Sequence, residues 1–198
     1  LDGGFSTDSC FALIEKIRTK YPEMPIGLLL CANLVFVPTQ EAFFKRCQKA
    51  GVDAVLIADL PILAAEEFVP TAKAHGIQPV FICPPNADEA TISRIANLTE
   101  GYTYLVSRAG VTSAENQSHA GNLDTLVESL KRSNSAPILQ GFGIAKPEQV
   151  KEALALGCDG AISGSAIVKI IERNLDNQAN LIRELSAFVS EMKAATRS

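Results

Sequence analysis

Pro137-Ile138-Leu139-Gln140-Gly141-Phe142-Gly143 and Gly160-Ala161-Ile162-Ser163-Gly164-Ser165 decide the fold, because each is a short apolar run that ends in a glycine turn. Runs of that length closed by glycine read as buried strands. Glycine directly after a strand lets bare backbone N–H groups approach an anion, and a helix starting in the same turn adds its positive end. The two turns together therefore point to a small molecule that carries a phosphate. The competing reading is a pair of tight strand-to-helix turns, with Ser165 acting only as a helix cap.

Outward from these turns, further apolar runs recur at Ile26-Gly27-Leu28-Leu29-Leu30, Ala54-Val55-Leu56-Ile57-Ala58, Pro79-Val80-Phe81-Ile82 and Tyr102-Thr103-Tyr104-Leu105-Val106. They predict strands covered on both faces. Their spacing of roughly 23 to 35 residues fits a repeated strand-plus-helix unit and leaves no tight hairpin, so the sheet is predicted to be parallel.

The intervening segments carry helix signals. Ser6-Thr7-Asp8 predicts an N-cap before Cys10, Leu13, Ile14 and Ile17; residues 40–50 set Phe43, Phe44 and Cys47 on one face before Gly51; residues 147–156 start at Pro147 and stop at Gly157. Pro70 predicts a late start or a kink within residues 64–75. Residues 177–192 repeat Leu181, Ile182, Leu185, Phe188 and Val189, predicting a helix that packs back on the body. Residues 107–122 lack periodicity and read as a mobile lid.

The predicted class is therefore α/β, of the TIM (β/α)8 barrel family, with one domain over residues 1–198. Six strand-helix units are present where a closed barrel needs eight. The chain opens on Leu1 without an initiator Met, which places the two remaining units upstream. The strands at Ile26 and Gly160 would then have open edges that invite pairing with another chain.

Of 198 residues, 47% are hydrophobic, and the formal net charge of -4 offers no basic field for nucleic acid or an anionic membrane. No apolar run approaches the ~20 residues of a membrane span, and no signal segment is present, so a cytoplasmic enzyme is expected. Cys10, Cys31, Cys47, Cys83 and Cys158 lack CxxC spacing and lie among apolar neighbours; they read as reduced core residues, with no metal site. Asp59 ends a predicted strand, as either a reactive carboxylate or a loop-ordering one. Glu115 reads as solvated, and His75 and His119 as helix-end and loop residues with no partner in reach.

The runs Pro25 to Asn33, Phe81 to Asn86, Tyr102 to Tyr104 continuing through Ser107-Arg108-Ala109-Gly110-Val111-Thr112, Gln140 to Ile144 and Ile162 to Lys169 together resemble the tryptophan synthase alpha chain family over essentially the whole chain. That resemblance implies a barrel that cleaves indole-3-glycerol phosphate to indole and glyceraldehyde 3-phosphate by a retro-aldol step, without a cofactor. It implies that Phe142, Gly143, Gly164 and Ser165 grip the phosphate, and that Tyr104 lines the pocket. Leu29, Leu56 and Ile82 would form an apolar wall beside the indole. Arg108, Thr112 and Ser113 would belong to the lid, although an even reading of Arg108 is a salt link within the lid. Asn33 and Pro61 would face a pyridoxal-phosphate beta chain in an alpha2-beta2 assembly. The two catalytic carboxylates would lie upstream of Leu1, so the resemblance implies no catalytic residue in this chain.

The chain departs from the family at two points. Ser113 stands where many members have Gly after the lid threonine, restricting φ there, and Cys31 stands where many have an aromatic residue. Two other readings stay open: a catalytically dead phosphate-binding partial barrel that self-associates, and a different phosphate-binding barrel enzyme. The latter needs an acid-base pair, of which the middle strands supply only Asp59.

Overall fold

The structure, a computed structural model, describes residues 4, 6–107 and 123–197. It comprises two compact units, Leu1–Ile82 with Asn97–Gly101 and Cys83–Ala96 with Tyr102–Ser198. In the first, α1 (Thr7–Lys20), α3 (Gln40–Ala50) and α4 (Val69–Ala74) alternate with strands β1 (Gly27–Leu30), β2 (Ala54–Ile57) and β3 (Gln78–Cys83). A short helix, α2 (Asn33–Phe36), follows β1, and a 3-10 turn, Ile62–Glu67, precedes α4. The strands pair in parallel, β1 with β2 and β2 with β3.

Local chemistry accounts for these elements. Ser6 and Ser9 form a reciprocal capping box at the start of α1, satisfying N–H groups the first turn leaves free. Pro70 sits in the first turn of α4, where its missing N–H costs nothing, and the chain before it takes the 3-10 turn instead; this is the late start predicted. Phe43, Phe44 and Cys47 are buried on one face of α3 as predicted. Phe44 links a series of rings, Phe11–Phe43–Phe44–Phe68–Phe81, with successive centroids 5.3–6.5 Å apart. These aromatic contacts are the core of this unit.

The second unit holds β4 (Thr103–Val106), β5 (Ile138–Gly141) and β6 (Gly160–Ala161), again parallel in chain order. Most of α5 (Glu89–Leu98), with α6 (Leu123–Arg132) and α7 (Pro147–Ala155), supplies helices here; α8 (Ser165–Glu172), α9 (Gln178–Ala194) and a closing 3-10 turn, Ala195–Arg197, complete it. Leu105, Leu130, Ile138 and Ile95 are fully buried. All six strands are thus parallel within their units, and the α/β class follows.

The same device starts a strand in each unit. Gly51-Val52-Asp53 and Gly157-Cys158-Asp159 both end a helix with glycine at positive φ and enter a strand through aspartate. The Asp53 N–H donates to Ile26 O at 2.9 Å, while Asp53 Oδ2 accepts the Ile26 N–H at 2.7 Å. Asp159 repeats this with Ile138, at 2.8 Å in both directions. Each carboxylate thereby sets the register of a strand pair at its first rung. Arg18 adds bonds to Gly51 O and Asp53 Oδ2, and any Cβ at residue 51 would stand 2.8 Å from its side chain.

Several expectations need correction. α1 buries Phe11 and Ile14, with Leu13 exposed, because the face that meets α3 is centred three residues apart on those two positions. β1 is not covered on both faces: it pairs only with β2 among the described residues of its unit, and Leu29 is 61% exposed. β6 is shorter than residues 160–163, although Ile162 still donates to Gln140 O at 2.8 Å. α9 buries no residue fully; Leu181, Leu185 and Phe188 are half-buried, but Ile182 and Val189 face outward. Its closest packing comes at its end, where Met192 and Ala195 join Ile144 and Val150. Cys31 is exposed and Cys10 half-buried, whereas Cys47, Cys83 and Cys158 are core residues as read.

Burial pushes the Cys47 and Cys83 thiols up to about 12 and the Cys158 thiol up to about 11. At pH near 8 a disulfide reagent is therefore expected to label Cys31 in the folded chain and these three only after denaturation; fast native labelling of Cys47 or Cys83 would contradict this packing. Replacing Asp53 or Asp159 by Ala is expected to cost on the order of 1 kcal/mol in urea unfolding, because the Ile26 or Ile138 N–H loses its acceptor. Asn at either site, which keeps an acceptor oxygen, should recover most of that loss.

Candidate functional site

β5 and β6 pair Leu139 with Gly160 and Gln140 with Ala161, and the Ile162 N–H extends the ladder to Gln140 O. Residues 141–143 and 164–165 therefore leave the sheet side by side at its C-terminal end. This end is where α/β folds bind ligands, because the loops there are free to vary above a fixed sheet.

The first turn is strained and held. Phe142 and Gly143 both take left-handed conformations, with φ of 74° and 79°. For Phe142 that conformation costs about 1–3 kcal/mol and persists only where neighbours enforce it. Ser107 Oγ donates to Phe142 O at 3.3 Å. On the other side, the Phe142 N–H faces the Tyr104 hydroxyl. Tyr104, in register with Leu139, lays its ring over Gly141: a Cβ added there would stand 2.1 Å from Cζ and 2.2 Å from the hydroxyl oxygen. Burial pushes the Tyr104 phenol above its ordinary value, an effect the Phe142 N–H partly opposes.

The second turn is open. Gly164 has φ of -112°, which any residue tolerates, and a Cβ there would meet nothing within 4 Å. Neither backbone geometry nor protein packing thus requires glycine at this position. Gly164 O accepts from Ile167 and Val168, which leaves the N–H groups of Ser165 and Ala166 ahead of the helical ladder of α8, with no side chain capping it. Gly143 also faces open space. The second unit thus brings together Tyr104, Phe142, Gly143, Gly164 and Ser165.

Two further residues shape the site without a strong signal in the sequence. Ser107 fixes the Phe142 carbonyl, and its signal was position alone, directly after β4. Gln140 is buried with Oε1 lacking a hydrogen-bond partner among the described residues. A glutamine closing an otherwise apolar strand was the available signal.

In the first unit, Leu29 aligns with Leu56 and Leu56 with Val80, so they form one row across the sheet. Leu56 is buried, Ile82 half-buried and Leu29 exposed. Asn33 opens α2, and Pro61 directly precedes the 3-10 turn. Asp59 Oδ1 accepts the Ala32 N–H at 2.7 Å, tying the loop after β2 to the loop after β1; the loop-ordering reading is the one this bond supports. His75 ends α4 as read, but it has partners: Nε2 lies 3.0 Å from Glu41 and Nδ1 3.3 Å from Gln48, across to α3. Arg108, Thr112 and Ser113, with Glu115, His119 and the other residues from 108 to 122, lie outside the described residues. Among the described residues no helix is long and apolar enough to cross a membrane.

Comparison with known proteins agrees with this geometry. The family model for the tryptophan synthase alpha chain matches residues 1–197. A tryptophan synthase alpha chain from Actinobacillus pleuropneumoniae serotype 5b is 82% identical over all of this chain, which spans 74% of that relative. One from Haemophilus influenzae strain PittGG is 68% identical over 197 residues, with the same coverage of the relative. Among solved structures, a chain from Aquifex aeolicus covers all of this chain at TM-score 0.87 and 26% identity, over 72% of its own length. The alpha subunit in a Pyrococcus furiosus tryptophan synthase a2b2 complex covers 98% at TM-score 0.84 and 29% identity, over 75% of its own length. The fold class is α/β of the TIM (β/α)8 barrel family, with six parallel strands among the described residues, as predicted.

The Tyr104–Gly141 contact yields a direct test. Gly141→Ala is expected to displace the Tyr104 ring and lower the melting temperature by several degrees, an overpacking cost of about 1–3 kcal/mol. In the Gly141→Ala/Tyr104→Ala double variant the two losses should be clearly less than additive. Strict additivity would show that the ring does not occupy that space.

Proposed function

The chain belongs to the tryptophan synthase alpha chain family, lyases of tryptophan biosynthesis, and from that premise we propose that it carries the phosphate-holding part of the site and is inactive alone. The reaction breaks the carbon–carbon bond between the indole ring and the glycerol chain of indole-3-glycerol phosphate. A general acid protonates the ring carbon, a carboxylate stabilises charge developing on the ring nitrogen, and a base takes the glycerol hydroxyl proton, releasing indole and glyceraldehyde 3-phosphate. No cofactor takes part.

The observation that carries this reading is the pair of glycine turns held side by side by β5 and β6, one fixed by Tyr104 and the other open before α8. The backbone N–H groups of Gly164 and Ser165, at the start of α8, with the Ser165 hydroxyl, bind the phosphate together with the backbone at Phe142 and Gly143. Tyr104 borders the glycerol and indole, Leu29 and Leu56 supply apolar wall, and Arg108, Thr112 and Ser113 close the lid. None of these residues is a carboxylate. This chain spans 74% of the length of the Actinobacillus pleuropneumoniae relative, and the two carboxylates belong to the part of the family's length that these 198 residues do not include. Asn33 and Pro61 face a pyridoxal-phosphate beta chain in an alpha2-beta2 assembly, in the cytoplasm. Exposed Leu29, Val37 and Leu63 favour a second outcome for the isolated chain, self-association as a phosphate-binding remnant.

Indole release from indole-3-glycerol phosphate separates these readings. The 198-residue chain is expected to release none, and the same chain extended at its N-terminus with the corresponding segment of the Actinobacillus pleuropneumoniae relative is expected to turn over. Addition of beta chain should raise that turnover, and Asn33→Ala with Pro61→Ala should reduce the rise. Ordinary turnover by the 198-residue chain would overturn its proposed inactivity; a folded but inactive extended chain would overturn the lyase reading.

A further inference from the structure

The helix whose N-terminus opens the phosphate site is poorly anchored by packing. Within α8 only Ile170 is buried, while Val168 and Ile171 face outward. Its other end, in contrast, is tied by a dense polar network. Asn174, directly beyond α8, is 5% exposed, and its side chain is bonded at both ends. Asn174 Nδ2 donates to Ile170 O at 2.9 Å and to Glu184 Oε2 at 2.9 Å, and Asn174 Oδ1 accepts from Asn180 Nδ2. Glu184, on α9, also accepts from Arg173 Nε at 2.8 Å and from Asn180 Nδ2 at 3.1 Å. An Arg173–Glu184 ion pair at 2.7 Å completes the set, and Arg183 donates to Asn180 Oδ1.

A buried amide with both ends satisfied fixes geometry, because any shift leaves an unpaired polar group out of water. With one buried apolar residue opposing it, this network sets the direction of the α8 axis. An eight-residue helix is about 12 Å long, so a tilt of about 5° at one end moves the other by about 1 Å. A displacement of that size at an anion's N–H donors is enough to weaken a preorganised site.

We propose that Glu184 is a positioning residue for phosphate binding: through Asn174 and Arg173 it aims the first turn of α8 at the anion it never touches. This rests on the reading of Gly164 and Ser165 as phosphate ligands.

The test is titration of the folded 198-residue chain with inorganic phosphate, read by amide resonances, alongside amide exchange at Ser165 and Ala166. Glu184→Ala should weaken phosphate binding by about tenfold and speed exchange at those two amides. Glu184→Gln keeps the shape and an acceptor oxygen, and should lose only about two- to threefold. Should Glu184→Ala fail to fold, Asn180→Ala, which removes one tie to Asn174 and one to Glu184, takes its place with a severalfold loss expected. Ile92→Val, a core change on α5 without a link to the network, serves as a stability control and should leave phosphate affinity unchanged. Unchanged affinity in the Glu184 and Asn180 variants, or an equal loss in the control, would overturn the proposal. Absence of phosphate binding by the unsubstituted chain would instead overturn the phosphate reading, and this inference with it.

Discussion

Parallel pairing between β5 and β6 is the constraint on which the candidate site depends. Because Gln140 pairs with Ala161 and Ile162 extends the ladder, two turns separated by more than twenty residues in sequence emerge at the same edge of the sheet. The register itself is fixed one rung earlier, where Asp159 exchanges two hydrogen bonds with Ile138. A one-residue slip would turn every side chain of the strand to the opposite face. It would carry Gly141 out from under Tyr104 and misplace the start of α8. The aspartate has no chemical role in the site, yet the site's geometry begins with it.

Above that register, each turn is shaped differently. Phe142 sits in a left-handed conformation with its carbonyl bonded by Ser107 Oγ and the Tyr104 ring packed over the neighbouring Gly141, so the turn is shaped before any ligand arrives. Preorganisation of this kind lowers the ordering cost of binding. The Gly164 turn relies on the opposite property, open space in front of unladdered N–H groups. A fixed wall facing an open donor set suits a compact anion with an organic tail. In the proposed function that tail is the indole-glycerol group.

Legibility in the sequence followed the range of the interaction. The strands, the α3 face with Phe43, Phe44 and Cys47, and the break at Pro70 depend on neighbours within a few residues, and all were readable. The α1 face was misread because Leu13 and Phe11 are equally apolar and only α3 decides between them. β1 was read as covered on both faces because Gly27-Leu28-Leu29-Leu30 is uniformly apolar, whereas exposure depends on what lies beside the strand. Cys31 was misplaced for the same reason. His75 found Glu41 and Gln48 more than twenty-five residues away, and the Asn174 network likewise joins residues whose sequence shows only ordinary polar helix ends. The glycine turns were visible; the Tyr104 ring that forbids a side chain at Gly141 was not, since it is a contact across strands.

The central claim is that the two turns form one phosphate site in this chain. The most direct measurement is a titration of the 198-residue chain with glycerol 3-phosphate, following the backbone amide resonances residue by residue. The account predicts saturable shifts confined to residues around Phe142–Gly143 and Gly164–Ala166, moving with a single dissociation constant. Shifts at only one of the two turns, or none at either, would contradict it.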